Sequence, residues 1–135
     1  LDTGVFSVNL VSEDLLRQMV ATSAPLPPGT DEAAELGIAV EPCDYVAAPR
    51  VARAPATLEC RLYRTIEIEP EREGDTLSTL VLGRVIAIRL ADECLDEKQR
   101  FDPQRAALVA RAAGIQYLTV RETVAIPAPF KRAGS

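Results

Sequence analysis

The sequence predicts a mainly β fold with a few short helices, and three observations carry that prediction. Two segments, 58–68 and 80–90, place apolar residues at about every second position, the period of a strand with one face in a core. Ten prolines fall at the joints between the periodic segments, where they break helices and stiffen loops. Helical spacing, by contrast, extends over short stretches only. A chain of 135 residues is the size of one domain and buries a core without metal or disulfide staples. Residues 1–135 are therefore expected to form a single domain.

In chain order, Phe6, Val8 and Leu10 alternate with Val5, Ser7, Asn9 and Val11 in a first strand. Ser12 reads as the N-cap of a short helix, with Glu13 and Asp14 in its first turn. Leu15, Leu16, Met19 and Val20 form that helix's buried stripe. Residues 21–32 hold three prolines and a glycine and read as a stiff, extended loop. Thr30 or Asp31 can cap a second short helix that stops at Gly37. Residues 38–55 read as an irregular excursion with one short strand near Tyr45.

The centre of the chain is a long hairpin. Leu58, Cys60, Leu62, Ile66 and Ile68 are expected on one face of its first strand, interrupted by Arg64. Residues 71–75 make the polar connection. Leu80, Leu82, Ile86, Ile88 and Leu90 are expected on one face of the return strand, interrupted by Arg84. Val81, Val85 and Ala87 lie on the other, so that this strand is expected to be covered on both sides, in a barrel or at a subunit contact. A polar connection follows, then Asp102-Pro103 as N-cap and first position of a helical turn or two through Arg105, Leu108 and Val109. A last strand is expected over 116–126, with a frayed tail from Lys131.

Composition removes whole classes of function. Aromatic residues make up 4% of the chain and the net charge is −5, so neither a stacking platform nor a basic stripe for nucleic acid is present. No apolar run approaches the roughly 18–20 residues that span a bilayer. Three cysteines without a CxxC pair are expected as free thiols in a reducing cytoplasm, with Cys60 in the core. Histidine is absent, which excludes imidazole bases, Ser-His-Asp and Cys-His nucleophiles and histidine-ligated metals. Neither a GxGxxG nor a P-loop pattern occurs, so a Rossmann cofactor site is disfavoured. No metal site is expected, and no catalytic side chain is singled out.

Several stretches together resemble the flavin reductase-like family, the FMN-binding split barrels. They are Thr3-Gly4 with Phe6-Ser7-Val8-Asn9-Leu10-Val11, and Ala21-Thr22-Ser23-Ala24-Pro25-Leu26-Pro27-Pro28-Gly29-Thr30-Asp31-Glu32. Pro49-Arg50-Val51, Pro55 and Leu58-Glu59-Cys60 follow, then Leu80-Val81-Leu82-Gly83-Arg84-Val85, and finally Gly114 and Tyr117. The resemblance covers the chain from Asp2 to about Pro127. It implies a homodimeric Greek-key split β-barrel, FMN near the subunit interface, and hydride transfer from NAD(P)H. The family's N-terminal half has no counterpart in these residues, so the chain is expected to be the C-terminal portion of such a domain, its barrel incomplete. That half is implied to supply most flavin contacts, the phosphate's included.

Within that resemblance Asn9, Thr22, Ser23 and Tyr117 are the candidate cofactor-binding residues. Each has a plainer alternative. Thr22 and Ser23 line a flavin site or close the end of the first helix. Asn9, unusual within a strand, points at the ligand or bonds a neighbouring loop. Tyr117 stacks near the cofactor or packs as an ordinary half-buried tyrosine. Gly83 marks a bulge or a close backbone approach. Arg64 and Arg84 flank a cavity, cross a dimer interface or extend to solvent at a barrel mouth. The functional expectation is an FMN-binding oxidoreductase. Its alternatives are a flavin-binding or dimerising module without turnover, and a structural remnant that binds nothing.

Overall fold

The computed structural model describes residues 3–127 apart from Pro28, Glu73 and Asp75. The expectations for Leu1, Asp2, those three positions and the tail fall outside the described residues. Three strands form the main antiparallel sheet in the order β1 (Val5–Asn9), β4 (Ala56–Ile68), β5 (Ser78–Leu90). The long alternating segments are thus the hairpin that the periodicity predicts. Two small antiparallel pairs flank the sheet: β2 (Val40–Pro42) with β3 (Pro49–Val51), and β6 (Val109–Arg111) with β7 (Tyr117–Thr119). The helices are short, α1 over Leu16–Ala21, entered through a 3₁₀ turn at Glu13–Leu15, and α2 over Glu32–Glu35.

The register of the hairpin differs from uniform alternation. Between Glu59 and Cys60 it shifts as Glu59 pairs Ala87 and Cys60 pairs Val85, leaving Ile86 extra. Between Leu62 and Arg64 it shifts again, as Leu62 pairs Gly83 and Arg64 pairs Leu82, leaving Tyr63 extra. Each bulge reverses the parity that the sequence pattern assumes. Leu58, Cys60 and Leu62 share one face with Val85 and Ile88. Ile66 and Ile68 fall on the opposite face, together with Leu80, Leu82 and the arginines. The single inward row of the sequence reading is therefore two half-rows on two faces. Gly83 lies where the first face is tightest. A Cβ there would collide with Phe6 Cζ and stand 3.3 Å from Cys60 Cβ, so close approach is the reason for glycine.

Four polar residues organise the other face around the excursion. Val5, Ser7 and Asn9 of β1 pair with Arg61, Glu59 and Thr57 of β4. Asn9 Oδ1 accepts from the Val51 amide at 3.1 Å and from Thr57 Oγ1 at 2.9 Å, and its Nδ2 donates to Ser7 Oγ at 3.1 Å. Ser7 Oγ in turn donates to Pro49 O at 2.6 Å. Glu59, 1% exposed, accepts the amides of Asp44 at 3.1 Å, Tyr45 at 2.7 Å and Val46 at 3.2 Å. Those amides lie in consecutive bends with no strand partner of their own, and a buried amide left unpaired is costly. The short strand expected near Tyr45 is thus replaced by a turn around a carboxylate, between β2 and β3. The core gathers at this end of β4, where Ala54, Ala56, Thr57, Glu59 and Cys60 are all buried. Cys60 is 3% exposed, the core position expected of it.

Other elements depart from the sequence reading for local reasons. Ser12 caps no backbone amide; its hydroxyl donates to the Asp14 carboxylate instead. Asp31 does cap α2, accepting from Ala33 and Ala34 at 3.0 and 3.2 Å, and Gly37 ends the turn at φ 62. Of the expected α1 stripe, Leu15 is buried, Leu16 and Met19 are half-buried and Val20 is exposed. Asp102 Oδ1 caps one turn through Gln104 and Arg105 at 2.8 and 3.3 Å. No helix follows. Ala107 adopts φ 45, its carbonyl accepts the Glu13 amide at 3.0 Å, and the chain leaves as β6. The last strand is limited to Tyr117–Thr119. The return strand is not covered on both sides within one chain: Leu80, Leu82, Val85 and Ile88 are 47%, 38%, 44% and 60% exposed.

Two stability predictions follow from these contacts. Glu59→Gln turns an amide N–H₂ toward backbone donors that the carboxylate now accepts, and should cost about 2–3 kcal/mol. Urea unfolding measures the loss, and hydrogen exchange should locate the earliest opening at Tyr45 and Val46. Gly83→Val should cost about 1–3 kcal/mol by overpacking against Phe6 and Cys60, read as a lowered Tm.

Candidate functional site

The end of β1, the inner side of α1 and the β6–β7 pair enclose a cleft. It consists of two adjoining cavities that share Asn9, Leu10, Val11 and Met19. One, of about 220 Å³, continues along Leu15, Gln18, Thr22 and Val51. The other, of about 290 Å³, continues along Val109, Arg111 and Tyr117. Small-molecule sites begin near about 300 Å³, and the larger of these two adjoining cavities is close to that size. The cleft's floor is aliphatic and its rim carries an amide, a hydroxyl, a phenol and a guanidinium. That is the balance expected of a small-molecule pocket.

The parts of the cleft are placed by backbone hydrogen bonds that tie distant segments together. The amides of Val109 and Val120 donate to the carbonyls of Val11 and Leu108 at 3.0 and 2.8 Å. Residues 11, 109 and 120 are thereby laid side by side, and Tyr117 is brought over the end of β1. Leu10 is held at its other edge by donation to Ala56 O at 2.9 Å.

Three of the four residues singled out from the sequence meet here. Asn9 borders both cavities, Thr22 one and Tyr117 the other. Ser23 does not reach the cleft; it is exposed and its hydroxyl donates to Val20 O at 2.7 Å. Thr22 Oγ1 likewise donates to Met19 O at 2.7 Å, so what it offers a ligand is acceptor lone pairs. Asn9 Oδ1 already serves Val51 and Thr57, which fixes the side chain's orientation. Tyr117 faces the Arg111 guanidinium, 5.8 Å from the ring centroid, a cation–π distance.

Sequence reasoning missed Leu10, Val11, Met19 and Arg111. Aliphatic side chains that line a cleft have the same pattern as those that fill a core. Arg111 carries no local signal at all, because its place depends on β6 docking beside Val11. Its Nη2 donates to Gly114 O at 2.8 Å, and its exposed guanidinium is the cation at the rim.

The cysteines contribute no activated nucleophile. Burial raises the thiol pKa of Cys43, as do the nearby charges of Glu59 and Asp44, while Arg50 opposes them. Burial also raises Cys60, and raises Cys94 together with Glu93. None of the three borders the cleft. Among the described residues no group of three or more cysteine, aspartate or glutamate side chains could hold a metal, and no helix is long and apolar enough to cross a membrane.

Comparison with known proteins assigns this architecture to a class. The family described as flavin reductase like domain matches residues 1–110, and the chain belongs to that family. Gly114 and Tyr117 lie beyond the matched residues. An uncharacterized protein of Deinococcus radiodurans is 39% identical over 113 residues, covering 82% of this chain and 47% of its own length. Among solved structures, nitrilotriacetate monooxygenase component B from Bacillus cereus superposes with a TM-score of 0.80 at 22% identity. That match covers 93% of this chain and 61% of the other. The Pseudomonas fluorescens 2-nitrobenzoate 2-nitroreductase NbaA gives 0.74 at 26% identity, with 98% and 64% covered. The fold is that of the flavin reductase-like split barrels. The chain spans about half the length of the Deinococcus relative and about three-fifths of the two solved chains.

The thiol environment gives a direct prediction. A raised pKa lowers the thiolate fraction at a given pH, and the thiolate is the reactive form. At pH 8, Cys43 should therefore be alkylated more slowly than free cysteine, with its rate still rising above pH 9. Mass spectrometry after timed iodoacetamide labelling measures this.

Proposed function

We propose that the chain is part of an FMN-binding oxidoreductase that passes a hydride from NAD(P)H to flavin, working as a homodimer in the cytoplasm. The observation that carries this reading is the cleft. An aliphatic floor of Leu10, Val11 and Met19, ringed by Asn9, Thr22, Arg111 and Tyr117, suits a planar, apolar ring with polar edges. A flavin supplies hydride chemistry of its own, so the protein needs no imidazole, thiolate or metal for it.

The chain's residues have three tasks in this reading. Leu10, Val11 and Met19 keep water from one side of the bound ring. Asn9, already oriented by Val51 and Thr57, and Thr22 present polar atoms to its edge. Arg111 sets a positive charge at the mouth of the cleft, where a phosphorylated ligand carries its negative charge. The homodimer is supported by the open apolar faces of β5. The family membership and the solved relatives, one of them a nitroreductase, support oxidoreductase chemistry.

The phosphate of FMN carries about two negative charges and calls for several donors. One exposed arginine does not meet that need, so residues outside these 135 are assigned the remaining contacts. Flavin-fluorescence quenching tests the assignment. A polypeptide extended to the full length of a family domain should purify yellow and oxidise NADH or NADPH. The 135 residues alone should bind FMN at least about a hundredfold more weakly. Equal, tight binding by the short chain would relocate the phosphate site to these residues, with Arg111 as its cation. Absence of binding by both would overturn the flavin reading.

A further inference from the structure

The half of the cleft that ends at Arg111 has a charge balance unlike that of the chain. Twenty acidic residues outnumber fifteen basic ones, yet among the described residues no carboxylate borders either cavity. Arg111 is the single charged side chain that does. Among the described residues no aspartate or glutamate forms a salt bridge with it. The hydrogen bond it does make, from Nη2 to Gly114 O at 2.8 Å, goes to a neutral carbonyl.

The fold sets that cation beside an apolar wall. Arg111 pairs with Tyr117 across the β6–β7 ladder, and Val109 lies two residues back. Directly paired residues, and residues two apart, share one face of a sheet. Val109, Arg111 and Tyr117 therefore share the face that meets Leu10, Val11 and Met19 across a cavity of about 290 Å³. The Gly114 bond and the Tyr117 ring, 5.8 Å from the guanidinium carbon, hold Arg111 in place. An aliphatic cavity of about 150 Å³ already takes a benzene ring, so this one has room for a ring with a substituent.

The charge of Arg111 draws phosphorylated and carboxylated ligands alike to the mouth. They differ in how many donors each needs. A guanidinium has five N–H donors. One is used on Gly114, and a carboxylate takes two of the others in a bidentate pair. A phosphate carries about two charges and calls for more donors than one arginine supplies. One arginine matches one carboxylate. Away from the charge, the aliphatic side chains offer apolar contact and Tyr117 offers a ring to pack against. We propose that this half of the cleft binds a small aromatic carboxylate. Its carboxylate would pair with Arg111, and its ring would lie against Tyr117 and the aliphatic floor. This rests on the ligand cleft of the reading above and names a class of substrate that it receives.

Benzoate is the probe, titrated into the full chain without flavin and followed by NMR. Benzamide keeps the ring without the charge, and acetate keeps the charge without the ring. Each should bind at least about tenfold more weakly than benzoate. Arg111→Gln should weaken benzoate by at least about tenfold and bring it level with benzamide. Arg111 is exposed, so the variant should keep the circular dichroism of the parent. If it misfolds, the comparison of the three probes in the parent chain decides alone. Absence of benzoate binding, or equal binding of benzoate and either control, would overturn the assignment. So would an undiminished preference for benzoate in Arg111→Gln, or displacement of benzoate by equimolar inorganic phosphate. No flavin is present, so failure here leaves the flavin reading standing. Failure of the extended polypeptide to bind flavin would in turn leave this site standing.

Discussion

Everything near the site depends on a row of polar groups buried under an irregular loop. Residues 44–46, in the bends between β2 and β3, have no strand partner, so their amides need acceptors from elsewhere. Glu59 provides them for Asp44, Tyr45 and Val46, and Asn9 provides one for Val51. A carboxylate suits the first task because it accepts several donors at once and has none of its own to satisfy. Its burial would be unfavourable without those three bonds. The cost of a polar core is thereby converted into a single arrangement of the excursion. The same network holds Asn9, and with it the end of β1, at the cleft.

The two bulges act further along the same strands. A bulge adds one residue to one strand and turns its following side chains to the other face. Tyr63 and Ile86 are those extra residues, and they divide the hairpin into two functional lengths. The inner length belongs to the domain core, with Cys60 buried and Phe6 lying over Gly83. The outer length carries Arg64, Leu82, Ile66, Leu80 and Ile68 on one face. A continuous register would have placed Ile66 and Leu58 on the same side, and the outer length would present a different surface.

The cleft shows how little catalytic equipment the chain brings. Its floor is aliphatic, its one hydroxyl donates to a helix carbonyl, and no cysteine borders it. What the cleft offers a ligand is an apolar surface, a few fixed polar groups and one rim charge. That is consistent with membership of the flavin reductase-like family.

By itself the sequence determined the class of fold, the long hairpin, the cap of α2 by Asp31 and the core position of Cys60. These are governed by local period, turn chemistry and side-chain polarity, which travel with the residues. It also singled out Asn9, Thr22 and Tyr117, three residues that the fold brings to one cleft. Only the tertiary structure decided the rest. The bulges at Tyr63 and Ile86 arise from pairing between strands, so neither strand's own pattern reveals them. The turn around Glu59 replaced a strand because a buried carboxylate from another segment outbid sheet pairing for the amides of residues 44–46. Ala107 ended a well-capped turn because its carbonyl was needed by Glu13. Arg111 and Met19 became cleft residues because β6 hydrogen-bonds beside Val11, nearly a hundred residues earlier. Long-range backbone pairing has no counterpart in local periodicity, and it is what assembled the site.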